Sequence, residues 1–254
     1  MRINEVRAIV TGAASGLGRH FTLKLASLGA SVAAGDIDVQ GLDELKQECE
    51  TFQGKVMTGR LDVSQEASVV EFVNKVSHQL GGVNTLVNNA GILRDGLLVK
   101  EEEVGWIKKL PTKQWQQVLE VNLTGAYFVT REVVADVIQR NLKESIIVNI
   151  SSMSRAGNPG QSNYAASKSG LDACTRTWAL ELASRGVRVG GIAPGLIETP
   201  ILRHVSDEVK QNLLANIPLK RAGTVDEVWL ALQFIIECDY FTGRTIEVDG
   251  GSAF

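Results

Sequence analysis

The sequence predicts an α/β fold: a single-domain, Rossmann-like doubly wound parallel sheet with helices on both faces. Two observations carry this. Short apolar, β-branched runs alternate with longer stretches of helical character along almost the whole chain, the pattern that builds parallel sheets covered on both sides. No Pro-rich or Ser-rich linker, low-complexity tract or internal repeat divides the 254 residues. Residues 1–254 are therefore expected to form one domain.

The elements follow in order. Arg7 to Thr11 reads as a strand and Gly16 to Leu28 as a helix; Ser31 to Gly35 is followed by Gln40 to Cys49, and Lys55 to Leu61 by Ala67 to Gln79. Thr85 to Asn88 precedes a helix through about Gln114 to Arg140, Ser145 to Ile150 precedes one through about Tyr164 to Ser184, then come Val187 to Ile192 and a last strand at Thr245 to Val248. Continuous runs such as Ile146-Ile147-Val148 suit strands buried on both faces. Two excursions break the alternation, Leu93 to Lys113 and Glu198 to Val225. Long excursions in a compact domain are usually functional. Residues 198–225 are expected to form a substrate lid, with Ile201, Leu202, Val205, Leu213 and Leu214 in a roughly helical apolar pattern that would equally suit packing onto the body. Glu101 to Leu110, with Trp106, is expected either to shape a pocket or to form a surface bulge.

Composition narrows the functional class. Hydrophobic residues make up 44% and charged residues 22%, which fits a soluble globular protein with a substantial core. The formal charge of -3 is spread over scattered residues with no basic face, so nucleic acid is not an expected partner. Cys49, Cys174 and Cys238 lie far apart in no CxxC spacing and read as free thiols of a reducing compartment. His20, His78 and His204 show no ligand spacing, so no catalytic metal is expected. No run of about 20 apolar residues suggests a membrane span, and the opening residues do not resemble a signal peptide. A cytoplasmic location is the expectation.

The chemistry is concentrated at two places. Thr11-Gly12-Ala13-Ala14-Ser15-Gly16-Leu17-Gly18 joins the first strand to the first helix. Glycines there permit a tight turn and close approach of a pyrophosphate, and the helix N-terminus offers free amides and a partial positive charge. Asp36 ends the second strand, placed to meet ribose hydroxyls and to repel a 2′-phosphate. Ile37 supplies no compensating charge, so NAD is favoured over NADP, with Arg19 beside the loop keeping NADP open. A helix N-cap is the other role open to Asp36, one that Asp38 could fill equally well. The second place is Tyr164-Ala165-Ala166-Ser167-Lys168. Residues four apart share a helix face, with Cβ atoms roughly 6 Å apart. A nearby ammonium is expected to lower the phenol's pKa towards the working pH of a proton-transfer catalyst.

Taken with Asp62-Val63, Asn88-Asn89-Ala90-Gly91, Asn122, Ser151-Ser152 and Pro194-Gly195 followed by Ile197 and Thr199, these residues resemble a short-chain dehydrogenase/reductase nearly end to end. Within that family the chain is similar to 3-oxoacyl-acyl-carrier-protein reductases and type II 3-hydroxyacyl-CoA dehydrogenases. The resemblance implies that Tyr164 exchanges a proton with the substrate oxygen, Lys168 tunes it and holds the nicotinamide ribose, a serine hydroxyl bonds the same oxygen, and Asn122 supports a water relay. The family spacing points to Ser151, the strand-end pattern to Ser152; a one-residue loop deletion reconciles them and favours Ser152. The resemblance further places Gly12, Ser15, Gly16, Leu17, Gly18, Asp36, Asp62, Val63, Asn89, Ala90, Gly91, Tyr164, Lys168, Ile197 and Thr199 along the cofactor. It implies a carrier-bound or small-molecule acyl substrate and a homotetramer, with Lys143 and Arg185 where the reductases carry carrier-docking residues. Surface charge alone would account for both of these last residues.

Overall fold

The computed structural model describes residues 1–103, 105–199 and 214–252. Seven parallel strands form the sheet: β1 Arg7–Thr11, β2 Ser31–Asp36, β3 Val56–Arg60, β4 Thr85–Asn88, β7 Ser145–Ile150, β8 Val187–Pro194 and β9 Arg244–Val248. Their order is β3-β2-β1-β4-β7-β8-β9, so the chain winds outward from β1 in one direction and then from β4 in the other. This is the Rossmann-like arrangement, and the reversal opens a crevice at the carboxyl ends of β1 and β4.

Alternation along each strand divides the core in two. Ala8, Val10, Val32, Ala34, Ile146 and Val148 face one side, where they meet α1 (Gly16–Ser27), α2 (Val39–Glu48) and α7 (Val225–Glu237). Ile9, Ala33, Leu86, Ile147 and Val189 face the other side, against α3 (Glu66–Leu80), α5 (Gly125–Gln139) and α6 (Ser162–Leu182). Successive Cβ atoms of a strand point to opposite faces, so an uninterrupted apolar run serves both layers.

The two excursions part company. After Leu98 the chain makes an antiparallel hairpin, β5 (Val99–Glu101) with β6 (Ile107–Lys109), before α4 (Thr112–Leu119). All six strand residues are exposed and Trp106 is 77% exposed. The hairpin strands line none of the recesses described below, so of the two expectations for Glu101 to Leu110 the surface bulge fits. In the second excursion, Ile201, Leu202, Val205 and Leu213 lie outside the described residues. Its described end packs on the body: Ile217 is buried, Leu219 N donates to Gly250 O at 3.3 Å, and Ile197 pairs with Gly223.

Between α4 and α5 the helix continues through a π turn over Glu120–Thr124. Sequence periodicity predicts one unbroken helix here. A π turn inserts a residue without ending the helix and is frequent at functional sites.

Candidate active site

Thr11, Asn88, Ile150 and Pro194 end four neighbouring strands, and the loops beyond them line one groove. Its wider part, about 700 Å³, is bounded by Ser15, Gly16, Leu17, Asn89, Gly91, Ser151, Ser152, Tyr164, Lys168, Ile197 and Thr199, with Leu93 and Arg94 at the rim. A recess of about 280 Å³ shares Ser15, Asn89 and Gly91 with it and runs on past Gly12 and Ala90 to Asp36, Asp62 and Val63. Of the sequence-predicted residues, Gly18 and Asn122 line neither part and act from behind the wall.

At the recess end the backbone does the shaping. Gly12 has φ +65°, and a Cβ there would lie 2.8 Å from Ala90 Cα; on Gly18 it would lie 2.2 Å from Gly12 O. Only glycine admits that crossing of the α1 turn over the β1 loop. Thr11 Oγ1 accepts from Asn89 N and Ala90 N, both at 3.0 Å, while Asn89 Nδ2 donates to Thr11 O and Gly12 O at 3.0 Å. Ser15, the N-cap of α1, makes no side-chain capping bond, so the first amides of the helix are not satisfied by a side-chain cap, and Ser15, Gly16 and Leu17 line the groove. Asp36 accepts from Ala14 N at 2.9 Å and Asp38 N at 3.0 Å, whereas Asp38 caps α2 by accepting from Gly41 N. Asp36 is therefore not the helix cap. Asp62 holds the turn at Ser64 rather than capping α3, whose N-cap is Gln65.

At the other end, α6 carries Tyr164 in its first turn and Lys168 in its second. Lys168 is buried; its Nζ donates to Ile150 O at 2.7 Å and stands 5.6 Å from the Tyr164 ring centroid. Burial pulls the Lys168 pKa down to about 8. Tyr164 goes the other way: burial raises its pKa, the Ser152 side chain facing the phenol offsets part of this, and the Asp95 carboxylate adds to the rise. This corrects the expectation that Lys168 sets the phenol low. Taking the phenol out of water disfavours the phenolate. Lys168 Nζ is committed to the Ile150 carbonyl, and burial disfavours its own protonated form.

The two serines separate cleanly. Ser151 Oγ donates to Lys168 O at 3.2 Å and is committed to the helix backbone, while Ser152 faces the phenol and accepts from Ser154 N at 3.1 Å. Asn122 is buried in the π turn. Its Oδ1 accepts from Ile92 N at 2.8 Å, and its Nδ2 donates to Ile92 O at 3.0 Å and Ser167 Oγ at 3.3 Å. A Cβ on Gly91 would lie 3.5 Å from Asn122 Oδ1 and 3.7 Å from Lys168 Nζ, so both groups stand beside the same stretch of backbone. Sequence reasoning placed Leu93 and Arg94 only within an excursion, not at the groove, and it missed Asn163. Asn163 stood beside Tyr164 in plain view, but its role depends on a loop some seventy residues earlier.

Among the described residues no group of three or more His, Cys, Asp or Glu could hold a metal ion, and no helix is long and apolar enough to cross a membrane. Cys49, Cys174 and Cys238 are free thiols, and burial pushes Cys49 up to about 11.

A groove at the strand-order reversal, with an uncapped helix N-terminus along it and a phenol, an amine and a hydroxyl at its wide end, has the make-up of a dinucleotide-dependent oxidoreductase. Residues 12–253 match the family model described as enoyl-(acyl carrier protein) reductase. The chain is 43% identical to a 3-oxoacyl-acyl-carrier-protein reductase of Thermotoga maritima, over 99% of each chain. It is 36% identical to nodulation protein G of a Rhizobium species, over 97% of this chain and 96% of that one, and 35% identical to a 3-oxoacyl-acyl-carrier-protein reductase of Vibrio cholerae, over 99% and 98%. This chain belongs to the short-chain dehydrogenase/reductase family: it is an oxidoreductase acting on CH–OH and keto groups with a nicotinamide cofactor.

Proposed function

We propose that the protein interconverts a 3-oxoacyl and a 3-hydroxyacyl thioester, on acyl carrier protein or coenzyme A, using NAD. The observation that carries this is the convergence of Tyr164, Ser152 and Lys168 on the wide end of a groove whose narrow end finishes at Asp36. The names of the Thermotoga and Vibrio relatives support the substrate class.

The residues fit the cofactor, because Gly12 and Gly18 let the start of α1 cross close over the β1 loop and Ser15, Gly16 and Leu17, at an N-terminus with no side-chain cap, line the groove. Gly12 to Gly18 would hold the pyrophosphate, Asp36, Asp62 and Val63 the adenosine, Asn89 to Gly91 the middle, and Ile197 with Thr199 the carboxamide. The bound nicotinamide supplies or accepts the hydride. Tyr164, whose burial disfavours the phenolate, gives its proton to the substrate carbonyl oxygen in reduction. Ser152 bonds the same oxygen and steadies charge as it develops there. Lys168 holds the ribose and, with Asn122, feeds a proton relay from behind the wall.

NAD is preferred because the residues that could favour a 2′-phosphate are engaged elsewhere. Arg19 donates to Gly41 O and pairs with Glu48 at 2.7 Å. Arg60, level with Asp36 on the neighbouring strand, lines a groove under α3 instead of the adenosine recess. Any lid would come from the part of 198–225 that lies outside the described residues, since the end from Ile217 onward packs on the body, and the working form is taken to be a cytoplasmic homotetramer in fatty acid metabolism. Lys143 and Arg185 stand at the starts of β7 and β8, the end of the sheet opposite Tyr164, so any carrier docking there would have to serve a neighbouring subunit's groove.

Purified protein with acetoacetyl-CoA, offered NADH and NADPH separately, tests the reading. NADH turnover is expected, and faster reaction with NADPH would remove the Asp36 argument. The family model's description favours a second reading, reduction of an enoyl thioester. Crotonyl-CoA reduced faster than acetoacetyl-CoA would establish it. Turnover only with a steroid, polyol or other secondary alcohol would move the substrate, and binding without turnover of any ketone would indicate a regulator.

A further inference from the structure

Tyr164 lies where a helix is least secure. It is the third residue of α6, whose N-cap, Gln161, makes no side-chain capping bond. The first turn of a helix has unpaired amides and frays most readily. Lys168, one turn further on, is held by regular helix and by bonds of its Nζ to Ile150 at the end of β7 and of its carbonyl to Ser151 just beyond it.

Something else must hold the first turn, and the rim loop does. Residues 94–96 run against residues 160–163 through three successive bonds. Asn163 Nδ2 donates to Arg94 O at 2.9 Å, Gln161 Nε2 donates to Asp95 Oδ2 at 3.0 Å, and Gly96 N donates to Gly160 O at 2.8 Å. Asn163 is fully buried and uses its other end as well: its Oδ1 accepts from Tyr164 N at 2.8 Å. A second bond from its Nδ2 reaches Gln114 O in α4 at 3.5 Å. One buried amide thus joins the rim loop, α4 and the backbone of Tyr164. Gln161 is braced in turn by Asn158 Nδ2, which donates to Gln161 Oε1 at 3.0 Å.

We infer that Asn163 and the Gln161–Asp95 pair are positioning residues, which hold the first turn of α6 on the rim loop so that the Tyr164 phenol stays aimed at the substrate oxygen beside Ser152. The inference rests on Tyr164 being the proton donor. Misplacement of a reacting group by about 1 Å can cost on the order of 100-fold in rate, so loss of this lock acts on turnover far more than on cofactor binding. The Asp95 carboxylate has a second effect, since it opposes ionisation of the phenol.

Two readouts test this, one of them independent of turnover. The chain has three tyrosines, Tyr127, Tyr164 and Tyr240. In a Tyr127→Phe, Tyr240→Phe background, ring-labelled tyrosine gives a single NMR signal whose titration reports Tyr164 directly. Asn163→Ala is expected to lower kcat by about 10-fold to 100-fold, with cofactor Kd within about threefold, and to bring the Tyr164 titration down towards that of a solvated phenol. Should Asn163→Ala not fold, the half-buried Gln161 provides the alternative. Gln161→Glu sets a carboxylate against Asp95 and is expected to lower kcat about fivefold to tenfold, while Gln161→Glu with Asp95→Asn restores it to within about twofold. A folded Asn163→Ala with unaltered kcat and unaltered Tyr164 titration would overturn the inference, as would failure of the double variant to rescue. If wild-type protein turned over no ketone, the proposed function would fail, yet the titrations would still decide whether the lock places Tyr164.

Discussion

At its Asp36 end the groove is made of backbone, with Gly12 and Gly18 crossing where no side chain fits and Asn89 and Thr11 stitching two loops together. The reaction end is made of side chains, two of them one turn apart on α6 and the third, Ser152, just past the end of β7. The difference teaches where each end is vulnerable. A backbone-built site fails by steric collision and loses binding and stability together. A side-chain-built site can lose its chemistry while the fold and the cofactor affinity remain.

Tyr164→Phe draws that contrast most sharply: kcat should fall by about 10³-fold with cofactor Kd unchanged, as steady-state rates and cofactor fluorescence titration would show. A parallel loss of cofactor affinity would erase the distinction between the ends. Next in size is the serine pair. Ser152→Ala should cost about 100-fold in kcat, and Ser151→Ala, which removes only a bond to Lys168 O, should cost less than about fivefold; the reverse order would reassign the hydroxyl.

Gly18→Ala probes the other end. Its Cβ would meet the Gly12 carbonyl, so thermal denaturation should show a loss of about 1–3 kcal/mol, and isothermal titration a cofactor affinity at least about tenfold weaker. Retained affinity in that variant would mean that the crossing is not the cradle.

Lys168→Met sharpens the comparison through pH. The folded pKa of Lys168 is depressed from 10.5 to about 8, so the unfolded chain binds the proton more tightly between those values. The resulting destabilisation is fully present below pH 8 and fades as pH rises to about 10.5. Urea melts should therefore find Lys168→Met more stable than wild type at pH 7, by at most about 3 kcal/mol less the lost bond to Ile150 O, with the gap closing by pH 10. A gap that widened with pH would contradict a buried, destabilised ammonium. The smallest effect belongs to the hairpin: Trp106→Ala, exposed and outside the groove, should change monomer stability by less than about 0.5 kcal/mol in the same melts.

Much of this was legible in the sequence because it is local. Strand-helix alternation marks the doubly wound sheet, and the glycine turn and the four-residue Tyr164 to Lys168 spacing mark the two ends of the groove. The strand-end position of Ser152 also pointed to the hydroxyl that faces the phenol. Other features were closed to it. The six exposed residues of β5 and β6 have no apolar periodicity to betray a hairpin, and the π turn at Asn122 has the composition of ordinary helix.

The residues alone therefore determined the layers of the fold and which side chains could carry proton chemistry, since periodicity and spacing along a helix or strand need no distant partner. Tertiary structure decided the rest: that Tyr164 is pushed up in pKa instead of down, that Arg19 is engaged by Glu48, and that Asn163 ties the reactive turn to a loop seventy residues away. Burial and long-range hydrogen bonds are properties of the packed chain, and no stretch of sequence contains them.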